Sequence, residues 1–204
     1  MYNLFDWNDH TWLILDQAGI LVGDLLMLLS IGGAVYAFME RGNIRRWLYR
    51  NSFPKIGGKP DNRNWRNIFF TVSNAELPLW VIEQLQPQPQ AVGLLATAYS
   101  EEQSKAIARA LVNRDITVRS KIIDNPDDPG DVHRQARALI EQIQSMCPGS
   151  AAMDITGGKT TMSLGAFMAA EEMGIDSIYV TTQMQGRRPE LSSARIIAVS
   201  ETQT

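Results

Sequence analysis

The sequence predicts an α/β fold, a Rossmann-like and mostly parallel sheet, preceded by one N-terminal transmembrane α-helix. Three observations predict it. From Gln17 to Met39 the run QAGILVGDLLMLLSIGGAVYAFM contains one charged side chain, Asp24. The next stretch, residues 41–66, is strongly basic. From Asn67 onward, short apolar runs alternate with helical patterns, as in a sheet covered by helices on both faces. A chain of 204 residues holds one ordinary domain plus a small addition. The organisation read from these signals is an N-terminal segment at 1–40 with its span at 17–39, a basic juxtamembrane linker at 41–66, and an α/β domain at 67–204.

The span comes first. Its 23 residues would form a helix of roughly 35 Å against a hydrocarbon core of about 30 Å, long enough to cross with a modest tilt. A buried core helix is seldom this long and apolar all round. A cleavable signal peptide would need a positive start, whereas Asp6, Asp9 and Asp16 precede the span without a Lys or Arg. After it, Arg41, Arg45, Arg46, Arg50, Lys55, Lys59, Arg63 and Arg66 outnumber Glu40 and Asp61. By the positive-inside rule the N-terminus lies outside the inner membrane and the rest is cytoplasmic, a single-pass topology. Trp12 on one side and Trp47 with Tyr49 on the other suit the interfacial aromatic belts. The basic run could also bind RNA, but beside a span it serves as topology signal and lipid headgroup contact. Asp24 is costly in lipid, about 2.5 to 3.5 kcal/mol at the centre, so it faces a helix interface or pore, or lies close enough to the outer surface to be wetted. Gly32, Gly33 and Ala34 permit close helix approach.

The α/β elements follow in order. NIFFTV at 67–72 reads as a buried strand, SNAE as a turn, and residues 78–85 as a helix with Pro78 in its first turn. QPQPQ connects to a second strand at 91–97. A helix follows at 100–114, with Ser100 as N-cap and Ile107 and Leu111 on one face. A third strand spans 117–123, NPDDPGD is turn chemistry, and residues 132–146 carry apolar positions at helical spacing. SAAMDIT at 150–156 is a strand, residues 159–173 a helix stopped by Gly174, and 177–182 and 194–200 the closing strands. Arg187 and Arg188 fall between those last strands, facing either ligand or solvent.

Composition removes several functions. A net charge of -3 argues against a general duplex nucleic-acid binder, which would be basic over its binding face. Cys147 is the one cysteine, so there is no internal disulfide and no cysteine-rich metal site. His133 has no cysteine or second histidine near it and reads as an exposed helix residue; no metal site is expected. Met162, Met168 and Met173 read as core fillers.

The stretch DITGGKTTMS at 154–163 carries the chemistry. A hydrolytic phosphate loop, G-x-x-x-x-G-K-[ST], would require glycine at position 153, where this chain has Met153. Nor does a later strand end in an aspartate suited to magnesium. Two glycines at a strand-to-helix turn still expose backbone N–H groups, the helix adds a positive end, and Lys159 adds a charge. That is an anion or ribose-phosphate cradle. In a parallel sheet it lies at the carboxyl edge of the strands, where the turn Ser73-Asn74-Ala75-Glu76 also lies.

These residues resemble the CARF family, the CRISPR-associated Rossmann fold, whose ligand loop has the form D/N-x-T/S-G-G-T/K-K/T before a Met-containing helix. TVSNAE is similar, less specifically, to the family's other ligand-binding turn. The resemblance covers residues 67–200, and with one membrane span it is similar to the small membrane effectors of type III CRISPR systems. It implies a sensor of cyclic oligoadenylate, with no other cofactor, in which two domains pair about a twofold axis and face one ring. Transferred by position, Gly157, Gly158, Lys159 and Thr160 would contact phosphate or ribose, Thr156 would shape the turn, and Ser73 and Asn74 would contact ribose or base. Implied partners are the cyclic nucleotide, the lipid bilayer and further copies of the chain, as a dimer or tetramer, and the implied output is a pore or membrane depolarisation. No catalytic residue is identified. The alternative is a membrane-anchored ring nuclease or nucleotide hydrolase acting on the same ligand, and a scaffold that recruits a protein partner is a third reading.

Overall fold

The computed structural model describes residues 9–39, 58–60, 64–186 and 188–201. The chain divides into two units, residues 1–47 and 48–204. The first contains a single described helix, α1 (Asp9–Met39), longer at its N-terminal end than the predicted 17–39. Its residues Ile14–Gly33 are long and apolar enough to cross a membrane by length and composition. Trp12 and Asp24 are exposed on it, Trp47 and Tyr49 lie outside the described residues, and so does most of the basic linker.

The second unit is a six-stranded sheet in the order β3-β2-β1-β4-β5-β6. The strands are β1 (Asn67–Thr71), β2 (Ala91–Ala96), β3 (Thr117–Ile122), β4 (Ala151–Asp154), β5 (Asp176–Gln185) and β6 (Arg188–Ser200). The first five are parallel and β6 returns antiparallel to β5. Between them lie α2 (Glu76–Gln84), α3 (Glu101–Leu111) with a 3-10 turn at Val112–Arg114, α4 (Pro129–Met146) and α5 (Thr160–Met173).

Strand alternation sends side chains to two separate cores. Ile68, Phe70 and Val72 of the first strand segment pack with Val81 and Ile82 of α2 and Ile107 and Leu111 of α3 on one face. Phe69 turns to the other face, among Leu139, Ile140 and Ile143 of α4 and Ala166 and Ala169 of α5. Trp65 closes the lower edge of the sheet, where its fully buried indole donates to the Asp176 carboxylate at 2.7 Å.

The predicted α/β fold is the one found, and the differences have local causes. α2 starts two residues early because Asn74 Oδ1 accepts from the Leu77 N–H and caps the first turn from outside the helix. α4 starts three residues early because Asp128 accepts from the Gly130 N–H at 2.8 Å, with Pro129 at the first helical position. Ser100 does occupy the N-cap of α3, but its hydroxyl accepts from the Thr97 N–H rather than from the helix. Gly174 ends α5 in the left-handed conformation with φ 62, as expected of a C-terminal glycine.

The main departure is at the last two strands. They are not short strands flanking a loop at 187–188 but a long hairpin, and Arg188 lies inside β6 while Arg187 falls outside the described residues. Gly58 lies beside β6, where its carbonyl accepts from the Ala198 N–H at 2.9 Å.

Phe69 and Gly93 are register partners on β1 and β2, and a Cβ built on Gly93 would lie 2.4 Å from the Phe69 ring. Gly93→Ala is therefore expected to lose about 1 to 3 kcal/mol through overpacking. Urea unfolding of the detergent-solubilised full chain measures this. Restoration by Phe69→Leu in the same chain identifies the ring as the cause, and unchanged stability of Gly93→Ala refutes it.

Candidate functional site

Strand order reverses between β1 and β4, so the crevice at their carboxyl ends is the topological switch point of the sheet. Two loops meet there. One follows β1 and contains Ser73 and Asn74; the other follows β4 and contains Thr156, Gly157, Gly158 and Lys159. The crevice is lined by Thr71, Ser73, Asn74, Asp154, Thr156 and Gly157, and its free volume of about 10 Å³ is roughly that of one water. A larger ligand would have to lie across the exposed edge above it, where Ser73, Gly158, Lys159 and Thr160 are exposed. A groove of about 570 Å³ lies elsewhere, between α2 and β6, with Trp80, Gln84 and Arg195 among its lining. The loops, not the larger groove, bring a helix N-terminus and convergent polar groups together.

The glycine loop is held from below by one carboxylate. Asp154 is buried at the end of β4, and its Oδ1 accepts from the Thr156 N–H at 2.8 Å and from the Thr156 hydroxyl. That hydroxyl in turn accepts from the Val180 N–H of β5 at 2.7 Å. Burial raises the Asp154 carboxyl from 3.8 to about 6, against the lowering effect of the two Thr156 hydrogen bonds.

Glycine is required twice. A Cβ on Gly157 would lie 2.0 Å from the Thr71 carbonyl oxygen, so no larger residue fits where the loop crosses the end of β1. Gly158 follows at φ 81, in the left-handed region, and a Cβ there would also strike Met162. The loop then enters α5 with Lys159 as an extended N-cap residue, and no side chain caps this helix end. Thr161 donates to the Pro126 carbonyl at 2.6 Å and Ser163 to the Ile155 carbonyl at 2.7 Å, fixing the first turn from both sides. The result is a rigid, uncapped helix N-terminus with a partial charge of about +0.5.

All seven sequence-predicted loop residues lie in the two loops at this edge or, for Thr160, at the first position of α5. Lys159 forms an ion pair with Asp127 of the β3–α4 loop at 2.8 Å, so its charge is shared rather than free. Both partners are more than half exposed, which makes the pair worth about 0 to 1 kcal/mol and easily exchanged for another anion. Asn74 Oδ1 is engaged in capping α2, which leaves its amide NH2 for a ligand. Asp24 belongs to the other unit, on the exposed surface of α1. Sequence reasoning missed Asp127 as partner and Asp154 as organiser. The acidic run NPDDPGD, ahead of a helix at the same sheet edge, is the signal that could have found the former. His133 proves half-buried and bonded to Glu172 at 2.7 Å, not an exposed helix residue. Among the described residues there is no cluster suited to a metal ion.

No family model matches the chain, and no curated protein does. Solved structures do. Enterococcus italicus Csm6 bound to cyclic hexa-2'-fluoro-hexa-dAMP aligns with a TM-score of 0.50 at 14% identity over 67% of this chain and 43% of that one. A type III CRISPR defence DNA nuclease activated by cyclic oligoadenylate aligns at 0.48 and 18% identity, over 73% and 23% of the two chains. Can2 from Sulfobacillus thermosulfidooxidans in complex with cyclic tetra-adenylate aligns at 0.46 and 21%, over 66% and 37%. The chain spans less than half the length of each. At 14% identity the likeness to Csm6 is one of fold, and it agrees with the doubly wound sheet described above.

The Asp154 carboxyl gives a sign-definite test. With a folded value of about 6 and an unfolded one of 3.8, the folded state holds a proton through that window which the unfolded state releases. This contribution is fully present below about pH 4 and lost as pH rises to about 6, a decline of at most about 3 kcal/mol that then levels off. Asp154→Asn keeps an acceptor for Thr156 and removes the titration. Urea unfolding of the solubilised chain between pH 4 and 7 is expected to slope downward relative to the variant; superimposable profiles overturn the assignment.

Proposed function

We propose that the protein is a membrane-anchored sensor of cyclic oligoadenylate, with cyclic tetra-adenylate as its ligand, acting in type III CRISPR antiviral defence. The reading starts from the loop chemistry. An uncapped helix N-terminus, approached through Gly157 and Gly158 and flanked by Ser73 and Asn74, suits ribose-phosphate. The observation that carries the proposal is the position of this cradle at the topological switch point, in the loop that resembles the CARF ligand loop. The fold shared with ligand-bound Csm6 supports it.

One cradle meets one arc of a ring, so the ligand is held between two α/β units related by a twofold axis. The output follows from the other unit. α1 carries Asp24 within its apolar run, and a carboxylate there favours assembly with other copies around a polar path. Ligand binding then drives the helices of the oligomer to open a pore or depolarise the membrane. The N-terminus lies outside the inner membrane and the sensor in the cytoplasm.

Liposomes containing the full chain and a trapped dye test the whole reading. Cyclic tetra-adenylate is expected to trigger leak, with about tenfold more ligand needed by Lys159→Ala, equivalent to about 1.4 kcal/mol. No leak from the unaltered chain, or equal sensitivity of the variant, sinks the proposal. Linear products in the same incubation would instead support the ring-nuclease alternative. Orientation is checked separately: an alkaline phosphatase fused to the N-terminus is expected to be active in cells and one fused after Thr204 inactive, the reverse pattern overturning the topology.

A further inference from the structure

The loop that would receive an anion is short of positive charge. In the two loops and their flanks, residues 71–76 and 154–160, Glu76 and Asp154 are acidic and Lys159 is the one cation, which Asp127 already shares. The α5 N-terminus adds only about half a charge. A ring with one negative charge per phosphate needs more than this edge supplies.

The missing cations are on the hairpin. β5 pairs with β4 only from Asp176 to Ile178, and beyond that level it pairs with β6 alone. Tyr179–Gln185 and the returning strand therefore rise past the sheet as a two-stranded ribbon, roughly 20 Å long. It leaves from the same carboxyl edge as the glycine loop and is tied to it at its base, where Val180 N–H donates to Thr156. Ile178, Val180 and Ile196 turn to the α2 face, so Thr181 and its register partner Arg195 share the face that carries α5. Both are exposed, as are Gln183 and Arg188.

The ribbon is also shaped. Thr181 and Gln183 are two apart, whereas their partners Arg195 and Glu190 are five apart, which leaves residues 191–194 as a bulge in β6. Ser193 holds that bulge, donating to the Glu190 carbonyl at 2.8 Å and accepting from the Gln183 N–H at 2.8 Å. Bulges of this kind bend a ribbon and re-aim its side chains.

We propose that the β5–β6 ribbon is a second wall of the ligand site, with Arg188 and Arg195 contacting phosphates of the anion that the glycine loop receives. The inference rests on the functional reading above, and a failed ribbon can be told from a failed reading. Arg195 also borders the groove beside Trp80, so the two arginines are varied separately and together.

The experiment is titration of the solubilised full chain with fluorescent cyclic tetra-adenylate at several salt concentrations. Arg188→Ala and Arg195→Ala are each expected to weaken binding about tenfold, and the double variant more. Each should lower the slope of log affinity against log salt by about 0.7, the mark of one lost phosphate contact. Lysine at either position should restore the slope. Binding by the unaltered chain that persists within twofold in the double variant overturns the ribbon while leaving the function standing. No binding by the unaltered chain overturns the functional reading itself. Weakening that follows only from loss of self-association, seen in particle mass at matched concentration, also overturns the ribbon.

Discussion

The site depends on the backbone contact between Gly157 and Thr71. The loop after β4 crosses the end of β1 so closely that only a hydrogen fits on its Cα. That crossing fixes where the loop turns, and the turn fixes where α5 begins. The helix then packs Met162, Ala166, Ala169 and Ala170 into the core shared with α4. A residue of any other type would have to move either the loop or the central strand, and β1 is hydrogen-bonded on both sides. Of the glycines in the described residues, Gly157 has the nearest neighbour, and it stands in the loop proposed to receive the ligand.

A buried acid completes the arrangement. Asp154 fixes Thr156 and, through its hydroxyl, the start of the free part of β5. Burying a carboxylate in this way costs stability near neutral pH, whereas an apolar residue would leave Thr156 N–H without its acceptor. The loop is therefore preorganised before anything binds, which limits the ordering that a ligand must impose.

Much of this was legible in the sequence because it is local. Periodicity located the strands and helices, since their burial follows from patterns of two and 3.6 residues. Gly157-Gly158-Lys159 marked the loop because, although glycine turns are common, one followed by Lys-Thr-Thr at a helix start adds exposed N–H groups and a charge at the same point. What the sequence withheld is non-local. Asp127 meets Lys159 only because α4 and α5 are neighbours; the run NPDDPGD marks an acidic turn at this edge but not which of its carboxylates reaches the lysine. The reach of β5 and β6 was hidden because TTQMQ and RRPELSS are polar, and an unpaired ribbon in solvent has the composition of a loop. Boundaries of α2 and α4 shifted for a related reason: Asn74 and Asp128 cap from positions that look like turn residues.

The bond between Ala198 and Gly58 occupies the outer edge of the sheet, on β6. β6 holds the chain's entry into the domain near its lower end, while its upper end rises with the ribbon past the sheet. The tie from Val180 to Thr156 lies between these two levels. Below that tie β5 is paired with β4 as well as β6, so the part of the hairpin that holds Gly58 belongs to the continuous sheet, and only the part above stands apart from it. Gly58 is therefore anchored to the edge strand at a level where the sheet is continuous, and the chain comes into the domain along that edge.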